Sequence, residues 1–223
     1  MCLAYSNIAE FSFFSDATTQ LNTMIEHLSS LPPLEQEHGA IEDYIHQQGV
    51  ELLRRLFQAH LDFKAAKEVK QTEVSNAEGT NLTHFRAKTT RTLTTLFGDV
   101  IITRKSYSKP SAKSVFPLDS ELNIAQDQFS DGVRLRLAEQ VNHCAYDHAI
   151  EQLSSTTGAA IGKRQSLRLV QDIAQDFEDY YLQNRYIEPE KTDALLVLTF
   201  DGKGIVMRPD SLRECTKKRA KKN

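Results

Sequence analysis

The stretch RTLTTLFGDVIITRKSY, residues 91–107, decides how the middle of this chain folds. It is rich in Thr, Val, Ile and Leu, the residue types that suit a pleated surface. Gly98-Asp99 sits at its centre. Residues 91–96 and 100–107 therefore read as two antiparallel strands joined by a tight turn at Gly98-Asp99. Strand alternation puts Val100, Ile102, Arg104 and Ser106 on one face and Ile101, Thr103, Lys105 and Tyr107 on the other. The second face is half polar, so the sheet is expected not to be buried on both sides. Arg86, Lys88, Arg91, Arg104, Lys105 and Lys109 crowd around the hairpin. Two readings stand: a basic ribbon that lies against a phosphate backbone, or an exposed hairpin kept soluble by charge.

Upstream, residues 34–70 show apolar positions at three- and four-residue steps: Ile41, Tyr44, Ile45, Leu52, Leu53, Leu56, Phe57, His60 and Leu61. That spacing predicts one amphipathic helix, with Gly49 marking a bend or break. The segment before it ends in SSLPPL, a loop signal. Residues 73–83 lose apolar content and read as a loop. Downstream, SKPSAKSVFPLD is read as another loop. Ser130 is placed to cap a helix reaching about Asn142, with Val133, Leu135, Leu137 and Val141 as its apolar positions. A second helix runs from Tyr146 to Leu153, with Ala149, Ile150 and Leu153 inward. A third, read as one longer helix or as two segments, starts at Lys163 and runs to about Asn184, with Leu167, Leu169, Val170, Ile173, Phe177, Tyr180 and Tyr181 as its apolar set.

The pair YDHAIEQL and GKRQSLRLVQDIA is organised like a helix-turn-helix. Gly158 is read as the turn residue at positive φ, and Ile161 as packing back between the helices. The second helix opens with Lys163, Arg164, Gln165, Ser166 and Arg168. These types reach phosphates and base edges when a helix N-terminus enters a major groove, and the helix dipole adds attraction for phosphate. The bland alternative is a packing hairpin whose basic residues are merely exposed.

The totals exclude some classes. A chain of 223 residues with a net charge of −3 is not a basic protein. The charge is segmented, however: −7 over residues 1–62, +6 over 63–113, −8 over 114–201 and +6 over 202–223. Any nucleic-acid partner meets local basic surfaces, which also read as plain solvated faces. The three cysteines, Cys2, Cys144 and Cys215, show no CxxC spacing, so neither a zinc site nor a disulfide framework follows. No run approaches a membrane span, and the N-terminus has no basic stretch of the signal-peptide kind. A cytoplasmic protein with no membrane partner is the expectation.

Near the C-terminus stands LLVLTFDGKGIVMRP, residues 195–209. Residues 195–200 suit a strand buried on both faces, and polar chemistry gathers at the ends of such strands. Asp201 is placed there to hold a divalent cation, since Mg2+ takes one or two carboxylates from a protein. In two-metal phosphoryl transfer an aspartate commonly bridges both ions. A hairpin turn at Asp201-Gly202 is the alternative.

Four elements follow in order: GVELLRRLFQAHLDFKAA, RTLTTLFGDVIITRKSY, AIEQLSSTTGAAIGKRQ and LLVLTFDGKGIVMRP. Together, over roughly residues 40–220, they resemble the N-terminal half of bacterial insertion-sequence transposases of the ISKra type. Those are DDE enzymes with an RNase H-like nuclease. The resemblance implies that residues up to about 190 bind transposon-end DNA, with Lys163, Arg164, Gln165 and Arg168 as contacts on a recognition helix. Arg91, Arg104 and Lys105 of the hairpin are the further DNA-contact candidates. It implies that residues 195–200 are the first strand of the nuclease, with Asp201 as the first catalytic, Mg2+-binding carboxylate. The second Asp and the Glu of the triad have no counterpart among Asp210 and Glu214, which lie too close to Asp201. A C-terminally truncated transposase is therefore expected, able to bind DNA and inactive alone.

The expected fold class is mainly α with a β-hairpin, a helix-turn-helix-like DNA-binding region and the first strand of a truncated RNase H-like α/β domain. The expected parts are residues 1–72 (helical), 73–118 (basic hairpin), 119–190 (helix-turn-helix-like) and 191–223 (start of the nuclease). The expected partners are double-stranded DNA and a second copy as homodimer. Two other functions fit the same residues: a non-catalytic helix-turn-helix regulator, and a helical protein-interaction module docking through residues 34–70.

Overall fold

A 30-residue helix packs along a long hairpin. The computed structural model describes residues 11–30, 34–184 and 213–214. The chain divides into two units, residues 1–180 and 181–223, and everything that follows concerns the first unless stated. A single 3-10 turn, Ser12–Phe14, leads into α1, Ser15–Leu28. Then come α2 (His38–Lys67), strands β1 (His84–Thr95), β2 (Gly98–Lys109) and β3 (Ala112–Val115), and the short α3 (Pro117–Glu121). Helices α4 (Asp131–His143), α5 (Tyr146–Thr156) and α6 (Lys163–Ile173) follow, and α7 (Phe177–Asn184) crosses into the second unit. Among the described residues the protein is thus mainly helical with one small antiparallel sheet, in the order β1-β2-β3.

The hairpin forms where alternation places it, but it turns two residues earlier than expected. Thr95 pairs with Gly98, so Leu96 and Phe97 make the turn. Gly98 takes φ 111°, a conformation that L side chains rarely adopt. Gly98-Asp99 is therefore the start of β2 and not the turn itself. The Thr95 hydroxyl donates to the Gly98 carbonyl at 2.7 Å and accepts from the Phe97 N–H at 3.1 Å, closing the turn.

The face carrying Val100 and Ile102 is buried, and with Leu93 and Leu61 it builds one core cluster. Arg104 and Ser106 are buried on that same face. On the other face Ile101 is exposed, whereas Tyr107 is buried with Val74 and Leu82. The segment read as a loop after the hairpin contains β3, which pairs Val115 with Tyr107 and Ala112 with Lys109. Four residues around a turn at Ser111 (φ 67°) are too few to show a period.

Helix α2 runs unbroken through Gly49, contrary to the expected bend. It packs along β2. Beside Ile101, β2 has an edge with no strand partner among the described residues, and Gln58 covers it. The Gln58 amide accepts from the Ile101 N–H at 2.7 Å and donates to the Ile101 carbonyl at 2.9 Å, as a neighbouring strand would. Glu68, just past the helix, accepts from the Lys105 N–H at 2.7 Å. Of the expected apolar stripe only Leu61 is buried, while Ile45, Leu53 and Leu56 are exposed.

Candidate nucleic-acid interface

Three helices, α4, α5 and α6, pack on one another around Val133, Leu137, Leu153, Ile161 and Leu169. Ser130 caps α4, its hydroxyl accepting from the Val133 N–H at 3.4 Å. Val133 and Leu137 are fully buried one turn apart, but Leu135 is 61 % exposed on the opposite face. Ala149 and Leu153 of α5 point inward as their spacing requires, and Ile161 closes the core from the α5–α6 turn.

That turn is anchored on the hairpin. Gly158 does not sit at positive φ; the positive-φ glycines among the described residues are Gly79 and Gly98. What demands glycine is close approach. A Cβ at Gly158 would lie 2.5 Å from the Phe97 carbonyl carbon and 2.8 Å from the Gly98 nitrogen. The Gly158 N–H donates to the Leu96 carbonyl at 2.7 Å. Leu96 itself packs against the three-helix core. A second tie joins β1 to the start of α4: Thr94 donates to the Gln128 carbonyl at 2.7 Å and accepts from the Ser130 N–H at 3.0 Å. The hairpin tip thus fixes the orientation of the three helices.

The first turns of α6 carry the residues singled out from sequence. Lys163, Arg164, Gln165 and Arg168 are all exposed. Ser166 and Leu169 are buried, so Arg164 and Arg168, four residues apart, share the outward face. The Ser166 hydroxyl donates to the Lys163 carbonyl at 2.7 Å, and the Gln165 side chain accepts from the Gly162 N–H at 3.2 Å. Both bonds pin the helix start. Lys163 forms a 2.6 Å ion pair with Asp147 at the start of α5. Both partners are more than half exposed, and such a pair is worth under about 1 kcal/mol, little obstacle to a competing anion. Of the two forms expected for residues 163–184, one helix or two segments, the two-segment form is observed. After Ile173 the chain passes through a 3-10 turn, and Phe177, Tyr180 and Tyr181 are exposed.

The hairpin candidates are placed differently. Arg104 is 6 % exposed, packs its guanidinium 4.0 Å from the Phe116 ring centre, and lies 3.2 Å from Asp119. Arg91 donates to the Ala125 and Gln126 carbonyls at 2.7 and 3.2 Å and lies 3.9 Å from the same carboxylate. The Lys105 ammonium donates to the Glu68 carbonyl at 2.5 Å. All three are held within the fold and do not form an outward basic ribbon. The signal was present in the alternation, which put Arg104 beside Val100 and Ile102. Burial pushes the Asp119 carboxyl above the usual carboxylate range, against the pull of Arg104 and Arg91. Burial likewise lowers the Arg104 guanidinium, with Asp119 opposing. Asp119 and Glu68 were not anticipated, because nothing in their own segments marks them as partners of the hairpin.

Asp201 and the strand at residues 195–200 lie outside the described residues. Among the described residues no group of three His, Cys, Asp or Glu side chains is placed to hold a metal ion. The Mg2+ expectation therefore rests on Asp201. Among the described residues no helix is long and apolar enough to cross a membrane.

A family model, described as uncharacterised protein family UPF0236, matches residues 38–205. The chain belongs to the UPF0236 family. The matched range starts at the first residue of α2, takes in the hairpin and the three helices, and runs past Asp201. The elements common to UPF0236 in this chain are thus the ones tied together by Gly158 and Gln58, while α1 lies outside the match. No curated protein and no solved structure matches the chain.

Proposed function

We propose that this protein binds double-stranded DNA through the outward face of α6, with the ends of a mobile element as its target. The observation that supports this most is the exposed set Lys163, Arg164, Gln165 and Arg168 on a helix start whose opposite face, Ser166 and Leu169, is buried. Arg and Gln at such positions have the geometry for bidentate contacts to guanine and adenine edges. Lys163 at the first helical position suits a phosphate. The resemblance to insertion-sequence transposases supplies the target class, and with it the proposal that Asp201 descends from a metal-binding nuclease carboxylate. Selection from a pool of randomised duplexes tests the reading. Enrichment of one sequence that recurs, inverted, at the borders of the encoding element supports it. A pool that stays random through repeated rounds refutes sequence-specific recognition.

A second reading, an interaction module or homodimer, is favoured by one observation. Ile45, Leu53 and Leu56 of α2 are 45, 45 and 39 % exposed along one side of the helix. Sedimentation of the parent chain against Ile45→Lys with Leu53→Lys separates the two. Association lost in the variant, with no DNA binding by the parent, favours the module.

A further inference from the structure

We propose that the cleft beside Arg91, Asp119 and Arg104 is a binding site for a phosphate-type oxyanion. The cleft opens between β1, β2, β3 and α3, and Arg91, Arg104, Lys113, Ser114 and Asp119 line it. Its buried wall is short of acceptors. Arg104 Nε and Nη1 and Arg91 Nε are buried with no hydrogen-bond partner among the described residues. Asp119 lies 3.2 Å from Arg104 Nη1 without satisfying it, and its own Oδ1 is also unbonded. A buried guanidinium left without acceptors is costly, and an arriving oxyanion would supply several at once.

The charge count points the same way. Arg91 and Arg104 face the single carboxylate Asp119, so the buried wall carries one surplus positive charge. The neighbouring Lys105 and Glu68 balance each other. The exposed rim carries one charge of each sign, Lys113 and Asp131. A surplus buried cation calls for a counter-anion. The planar Arg104 guanidinium, held in place by the Phe116 ring, keeps its Nε–H without an acceptor on one edge and its Nη1 toward Asp119 on another, so an incoming oxyanion would take the Nε–H. The Ser114 hydroxyl and the Lys113 ammonium add donors at the mouth. The site does not depend on DNA binding by α6. Its phosphate comes either from a small phosphorylated anion or from a DNA backbone.

Thermal unfolding of the full chain in sodium phosphate, against sodium chloride at matched ionic strength and pH, tests the site. Inorganic phosphate should raise the midpoint with the logarithm of its concentration, by about 3–6 °C at about ten times its dissociation constant. The increment should vanish in Arg104→Gln and persist in Arg136→Ala, which alters an exposed arginine on α4. Should Arg104→Gln fail to fold, Lys113→Glu on the exposed rim serves instead and should weaken the phosphate midpoint several-fold. Adding a DNA duplex to the phosphate-loaded chain then distinguishes the sources by the phosphorus resonance. Release of phosphate assigns the site to the DNA backbone, and retention assigns it to a small anion. A response to phosphate no greater than to chloride overturns the proposal, as does an undiminished response in Lys113→Glu and in folded Arg104→Gln.

Discussion

Gly158→Ala is the sharpest test of how the hairpin and the three helices are joined. The new Cβ would sit 2.5 Å from the Phe97 carbonyl carbon, 2.6 Å from its oxygen and 2.8 Å from the Gly98 nitrogen. All three are backbone atoms, so no rotamer change relieves the clash. Either the α5–α6 turn lifts away or the hairpin tip moves. Overpacking of this kind costs about 1–3 kcal/mol. Lifting the turn also stretches the 2.7 Å bond from Gly158 to the Leu96 carbonyl, worth about 1 kcal/mol. Against this, Ala in place of Gly at a non-positive φ restricts the unfolded chain and stabilises by about 0.4–1 kcal/mol. The contact terms win, and a net loss of about 1–3 kcal/mol is expected. Urea denaturation followed by circular dichroism, with the slope held common, measures it. A neutral or stabilised variant would mean that backbone entropy alone acts at this position, and the turn-on-turn contact would be refuted.

Gly49→Ala should do the opposite. Nothing lies within 4 Å of a Cβ at this mid-helix position, so a gain of about 0.5–1 kcal/mol in urea is expected, and a loss would reveal an unseen neighbour. Gln58→Ala leaves the Ile101 N–H and carbonyl without their side-chain partner and should cost about 1 kcal/mol, with amide exchange at Ile101 accelerated. Glu51 should contribute to acid sensitivity. Its hydrogen bond from Arg54 and a second from Arg55 hold its carboxyl at about 2, below the ordinary 4.5. A folded-state value below the unfolded one means stability present above pH 4.5 and lost as pH falls toward 2. The pairs are a third exposed, so screening limits the effect to about 0.5–1 kcal/mol. Glu51→Gln should flatten stability between those two pH values, and an unchanged acid limb would discount the pairing.

What sequence made legible was the local pattern. Period-two alternation placed the hairpin and even placed Arg104 on the buried face with Val100 and Ile102. Ser130 announced its cap, and the i, i+4 spacing of Val133 and Leu137 announced the core. The misreadings have tertiary causes. Gly158 was read for its backbone freedom, while its role is to let two turns touch, a contact between segments about 60 residues apart. Gly98-Asp99 looked like the turn because glycine at positive φ marks one. Here that residue follows the turn, and Leu96 and Phe97 occupy it because Leu96 packs into the three-helix core. Arg86, Lys88 and Lys109 are exposed as read, but Arg91, Arg104 and Lys105 were read as surface because their partners, Asp119 and Glu68, come from other segments. The exposed aromatic residues after Ile173 show that a three- and four-residue period need not mean burial.

The central claim is that α6 reads DNA. Fluorescence anisotropy of the selected duplex, with the parent chain and with Arg164→Ala plus Arg168→Ala, measures it directly. Both side chains are exposed, so the variant should unfold like its parent. Losing a base-edge contact costs about 1–3 kcal/mol, so affinity for the selected duplex should fall at least about tenfold, while affinity for an unrelated duplex changes far less. Equal binding of the selected duplex by both chains would contradict the account.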